Sequence, residues 1–85
     1  MKTIAGVTPE QQEIMAANVH ERWLLENHRN GITSRISAVT GEEQMVDYED
    51  LTEKVKEYDR MLVRTILYGL ATNGFVVVKR GHRNE

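Results

Sequence analysis

Cysteine is absent from the 85 residues, and proline, tryptophan and phenylalanine occur once each. Without cysteine no disulfide can brace the chain and no thiolate can hold zinc. Long apolar runs are also missing. Nothing approaches the roughly 20 residues that a membrane-crossing helix needs, and Met1 to Val7 lacks the apolar core of a secretory signal, so the expected location is the cytoplasm. Charge of one sign is not in excess: 11 Lys and Arg against 13 Asp and Glu give a net charge of −2. That balance is unlike the strongly basic one that binds phosphate backbones, so nucleic acid is not an expected partner and a small helical DNA-binding domain is disfavoured. A single small domain buries a limited share of its surface. Self-association is a common remedy where disulfides and metals are missing, and a homodimer is the expected assembly.

What is present is helical. Thr8 can cap a helix that starts at Pro9, with Gln11 completing a capping box and Glu10 suiting the positive end of the dipole. Ile14, Met15, Val19, Trp23, Leu24 and Leu25 then recur at helical spacing until Asn30 and Gly31, which predicts a helix over 9–29. Thr52 caps a second helix over 53–73, whose stripe of Val55, Tyr58, Leu62, Ile66 and Leu70 ends at Asn73 and Gly74. Asp59 falls beside that stripe and marks a candidate kink or fresh N-cap. A short helical turn near 48–51 would bring Tyr48 and Leu51 inward. Phe75 to Val78 is β-branched and aromatic and follows a glycine break, which predicts a short strand over 75–79, whose candidate partners are a weaker strand signal over 34–38, within the Ile32 to Ala38 segment, or the same strand of another copy. The expected class is mainly α, with two long packed helices and one or two short strands in a single domain, residues 1–7 and 80–85 being flexible.

Residue patterns that carry catalysis or metal binding are missing. His20 and His28 are eight residues apart, about 12 Å along one helix, so they cannot share an ion. There is no Gly-x-Ser-x-Gly elbow and no glycine-rich phosphate loop after a strand. No metal, cofactor or catalytic group is expected, and the chain does not read as an enzyme. The acidic middle, Glu42 to Asp59, and the basic tail after Val78 read first as solvated surface. The stretch that asks for an explanation is Asn18-Val19-His20-Glu21-Arg22-Trp23. His20 and Trp23 lie one turn apart on one helix face, where Trp23 can be a core anchor or a flat stacking surface, and His20 a core histidine bonded to a backbone group.

Asn18-x-His20-Glu21-x-Trp23 resembles the signature that opens the RyR domain, the small repeat of ryanodine receptors and of short bacterial and phage proteins. Asp47-Tyr48-Glu49-Asp50-Leu51 is similar to that family's Pro-Tyr-x-x-Leu. The likeness runs through Lys56-Glu57-Tyr58-Asp59-Arg60, and Leu67-Tyr68-Gly69-Leu70 to Gly74-Phe75 is similar to its Leu-x-x-Leu-x-x-x-Gly-Tyr ending. Two family stretches, Gly-Trp-x-Tyr-Gly and Lys-x-His-Pro, have no counterpart after Gly31, so their roles do not transfer. The resemblance implies a two-helix domain that pairs about a two-fold axis, here as a homodimer. It also implies an adenine-nucleotide-like ligand or a partner protein held near Trp23, which would stack on a base. His20, Arg22 and Tyr48 are then secondary ligand-binding candidates, with Arg22 the candidate phosphate partner. The alternative from a different class is a purely structural interaction module that buries Trp23 in its interface. Channel activity does not follow, because function belongs to sites and not to folds.

Overall fold

The computed structural model describes residues 2–80. Two helices, α1 (Pro9–Arg29) and α2 (Glu53–Thr72), are separated by a loop and a 3-10 turn at Tyr48–Asp50. The fold is mainly α, with helix limits that match the sequence-based ones to within a residue. Local signals explain the agreement. At the start of α1 the Thr8 hydroxyl accepts from the Gln11 N–H (3.3 Å) while the Gln11 side chain accepts from the Thr8 N–H (3.0 Å), a reciprocal capping box. Thr52 caps α2 by accepting from the Val55 N–H.

Both helices stop by the same construction. After α1, Gly31 N–H donates to the His28 carbonyl and Ile32 N–H to that of Asn27; after α2, Gly74 and Phe75 donate to Ala71 and Leu70. This is the Schellman pattern, and it needs a left-handed residue at each glycine. Gly31 has φ 75° and Gly74 φ 86°.

The strands expected over 75–79 and 34–38 do not form. Val77 donates its N–H to the Ala5 carbonyl at 2.8 Å, and Ile36 makes an isolated bridge with Glu43. A strand persists only when a neighbour takes up its successive donors and acceptors. These two segments are tied to different places, so neither supplies the ladder the other lacks. Asp59 does not cap a fresh helix, because α2 runs through it unbroken from its N-cap at Thr52.

Residues 2–7, within the stretch expected to be flexible, contribute to the core. Ile4 and Val7 exchange backbone hydrogen bonds of 3.0 and 2.9 Å across a tight turn at Ala5 and Gly6, and both side chains are buried. Gln12 of α1 fastens this turn by donating to the carbonyls of Lys2 (2.8 Å) and Val7 (2.9 Å). Residues 81–85 of the expected flexible tail lie outside the described residues. The core is completed by Ala16, Tyr48, Leu51, Val55, Val63 and Leu67, and each fully buried aliphatic side chain there contributes roughly 1.5–3 kcal/mol.

A polar clamp joins the elements around that core. Arg60 of α2 donates from Nε and Nη2 to the two carboxylate oxygens of Glu13 (2.7 and 2.9 Å), and the Tyr48 hydroxyl donates to the same carboxylate (2.8 Å). The Arg60 hydrogen bonds hold the Glu13 carboxyl below its ordinary value against a smaller opposing effect of burial. Burial, and then the Glu13 contact, push the Tyr48 hydroxyl up to about 12. Planar, two-pronged pairing of this kind fixes angle as well as distance, so the clamp sets how α1, α2 and the 3-10 turn meet.

Candidate functional site

The signature stretch lies in the second half of α1. His20 is buried, and its Nε2 is 2.7 Å from the Val46 carbonyl oxygen. A carbonyl can only accept, so Nε2 carries the hydrogen and Nδ1 turns the other way. There it faces the Asp59 carboxylate of α2 at 3.6 Å. Trp23 is half-buried, and its ring lies against that of His20 with centroids 5.4 Å apart and planes 28° from parallel. One turn of α1 thus stacks two rings, and the histidine half of the pair is locked by the loop.

The loop is itself braced. The Glu43 carboxylate accepts from the Ser34 hydroxyl (2.5 Å) and from the N–H groups of Arg35 (2.8 Å) and Met45 (3.0 Å). These contacts, Ser34 foremost, hold its carboxyl below the ordinary value. Arg35 Nε donates to Asn27 Oδ1 (2.9 Å), and Asn27 Nδ2 donates to the Trp23 carbonyl (2.8 Å). The backbone at Trp23 and the loop across from it are therefore held in one network.

Between these parts lies a cavity of about 180 Å³ lined by His20, Trp23, Gln44, Val55, Tyr58 and Asp59. Its apolar wall is Val55 with the aromatic rings, and its charged group is Asp59. Burial raises the Asp59 carboxyl above its ordinary value, opposed by the nearby His20. Among the described residues no hydrogen bond reaches that carboxylate; the His20 ring faces it at 3.6 Å, beyond hydrogen-bond range. A second concavity of about 320 Å³, lined by Gly6, Val7, Gln11, Ile14, Met15, Val77 and Lys79, lies elsewhere on the surface. It is mainly apolar and gathers no convergent polar groups, so the Trp23 cavity is the better candidate despite its smaller size.

Of the four residues singled out in the sequence, the structure brings His20 and Trp23 together in this cavity. Tyr48 stands behind it, buried, with its ring 6.2 Å from that of His20 and its hydroxyl committed to Glu13. Arg22 points away on the exposed side of α1 and pairs with Glu26 at 2.9 Å. Asp59, Gln44 and Val55 were not among the site candidates. For Asp59 a signal existed: it continues the four-residue spacing of Val55, Val63 and Leu67, so an acidic side chain stands in the stripe α2 buries. Gln44 arrives through the fold of an irregular loop, and no local pattern marks it. No three His, Cys, Asp or Glu side chains among the described residues converge as a metal-ligand set.

Fold and site together define a small two-helix domain organised on a stacked histidine–tryptophan pair that faces a carboxylate. The chain belongs to the RyR domain family, whose family model matches residues 4–79. No curated protein and no solved structure matches it. Among the described residues no helix is long and apolar enough to cross a membrane.

Proposed function

We propose that this RyR domain is a non-enzymatic, cytoplasmic binding module that receives the planar ring of a small nucleotide-type ligand against Trp23, and that it works as a homodimer. The observation that carries the reading is the half-buried indole lining a cavity beside a carboxylate that no hydrogen bond reaches among the described residues. A tryptophan that served only as a core anchor would be enclosed. Here the indole has one neighbour ring in His20 and reaches a cavity smaller than the ~300–1,000 Å³ that encloses a drug-sized ligand, so a ring would enter while the rest of the molecule stayed outside. Base stacking on an aromatic side chain is worth roughly 1–3 kcal/mol, enough for a weak, ring-selective site.

The reading is tested by titrating the intrinsic fluorescence of Trp23, the single tryptophan, with nucleosides, ATP, ADP-ribose and cyclic nucleotides. A saturable change in emission is expected, with calorimetric binding lost in Trp23→Leu. No response at millimolar ligand, with Trp23 already shielded from a soluble quencher, would sink it. That result would favour the second reading, an interaction module with Trp23 at its interface. The second reading draws on the apolar side chains of α2 that continue from Tyr58, at the cavity, to the exposed Met61, Leu62 and Ile66.

A further inference from the structure

We propose that the Trp23 cavity selects a ring whose edge presents two adjacent N–H donors, as guanine does, that Asp59 is the residue that reads this edge, and that a phosphate group adds nothing to binding. The inference rests on the ligand-binding reading above and names the chemistry that the site would take.

An ionised carboxylate only accepts, through two oxygens with about four lone-pair positions. In this protein Asp59 lines the cavity with its side chain 19% exposed, and no donor among the described residues reaches it within hydrogen-bond distance. Of the other polar residues that line the cavity, His20 has its Nε2 hydrogen committed to Val46 and its Nδ1 3.6 Å from Asp59, and no hydrogen bond joins Gln44 or Tyr58 to that carboxylate. Trp23 and Tyr58 line the same space with aromatic rings, and the Val55 side chain offers no polar atom. The site therefore combines stacking with a carboxylate that no donor among the described residues engages. A ring that fits supplies donors in its own plane, side by side, so that both carboxylate oxygens are engaged in the fork geometry that makes such pairs strong.

The guanine edge, with its ring N1–H and exocyclic amino group, meets that requirement. The adenine edge does not, because its amino group sits beside a ring nitrogen that accepts and would face a carboxylate oxygen lone pair to lone pair. Hypoxanthine keeps the N1–H and lacks the amino group, which places it between the two. The carboxylate thus discriminates by leaving a charged acceptor unpaired in the wrong complex.

The surroundings argue against a phosphate contact. No Lys or Arg lines the cavity, Arg22 is held by Glu26, and the chain that leads into α2 carries Glu42, Glu43, Asp47, Glu49, Asp50 and Glu53. A phosphate left outside the cavity therefore gains no cationic partner from its lining.

The experiment uses the full chain near neutral pH with guanosine, inosine, adenosine and guanosine monophosphate as probes, followed by Trp23 fluorescence and ligand-observed NMR. Guanosine is expected to bind about tenfold more tightly than adenosine, the scale of one good two-pronged base contact. Inosine should fall between them, and the monophosphate should bind no more tightly than guanosine. Asp59→Asn, whose amide offers one acceptor and one donor, should reverse the order to favour adenosine. The wild-type series decides alone if that variant does not fold. Adenosine binding as tightly as guanosine, or a monophosphate clearly tighter than its nucleoside, overturns the inference while leaving Trp23 as a ligand site. Silence from all the nucleosides overturns both.

Discussion

Glu13 accepts hydrogen bonds from Arg60 and Tyr48, whereas among the described residues no hydrogen bond reaches the carboxylate of Asp59. The two acids therefore respond to pH in opposite directions. For Glu13, the Arg60 contact lowers the folded-state pKa, so its contribution to stability is present above the ordinary value of 4.5 and is lost as pH falls through the lowered one. For Asp59, burial raises the folded-state pKa above the ordinary 3.8, so its contribution is present below 3.8 and is lost as pH rises through the raised one. At neutral pH the ionised Asp59 thus weakens the fold that carries it. Replacing it by asparagine should stabilise the protein by about 0.5–1 kcal/mol near neutrality, in line with gains from relieving a functional residue. The gain should vanish in acid well below 3.8. Urea denaturation at the two pH values measures both, and a clear loss of stability in Asp59→Asn at neutral pH would show that the acid serves structure.

At the scale of elements, the least expected contact is between the N-terminal turn and residues 75–78. Gly6 has φ +86°, and a Cβ there would lie 2.7 Å from the Val77 carbonyl oxygen and 3.0 Å from a Val76 methyl. Gly6→Ala must therefore strain its own backbone and push away the extended segment. A loss of about 1–3 kcal/mol is expected in urea denaturation, with faster hydrogen exchange at the Val77 amide, which now donates to Ala5. Wild-type stability and exchange in that variant would refute the contact. None of this was legible in the sequence, because it depends on two segments some 70 residues apart meeting at a position marked only by a glycine. The helices were legible for the contrary reason: Thr8 with Gln11, Thr52, and the two Asn-Gly endings act within a turn of themselves. Phe75 to Val78 carried a strand composition but no information about a partner. At the site, the His20 and Trp23 stack follows from one-turn spacing, while the presence of Asp59 opposite them depends on how the two helices cross.

The molecule as a whole leaves α2 incompletely covered. Its inner side buries Val55, Val63 and Leu67, and next to it Tyr58, Met61, Leu62 and Ile66 form an exposed stripe, each at least 40% accessible. Gly69 falls on the same side at helical spacing. Among the described residues nothing beyond its own helical turn lies within 4 Å of where its Cβ would be, and its backbone is helical. A glycine inside a helix costs about 1 kcal/mol relative to alanine, and no contact among the described residues accounts for it. Close approach of a second helix would, since a missing side chain lets two backbones draw together. An isologous pairing along α2 would bury the stripe of both copies and bring each Tyr58, at the edge of the Trp23 cavity, toward the partner. This is the form in which the proposed homodimer is most directly tested. Light scattering should give a dimer mass for the wild type at high concentration and a monomer mass for Leu62→Glu, while Gly69→Ala should dissociate more readily although its helix is intrinsically more stable. A monomer mass for the wild type across the accessible concentration range would reject the pairing. A dimer that survives Leu62→Glu and Gly69→Ala unchanged would move the interface to another face of the molecule.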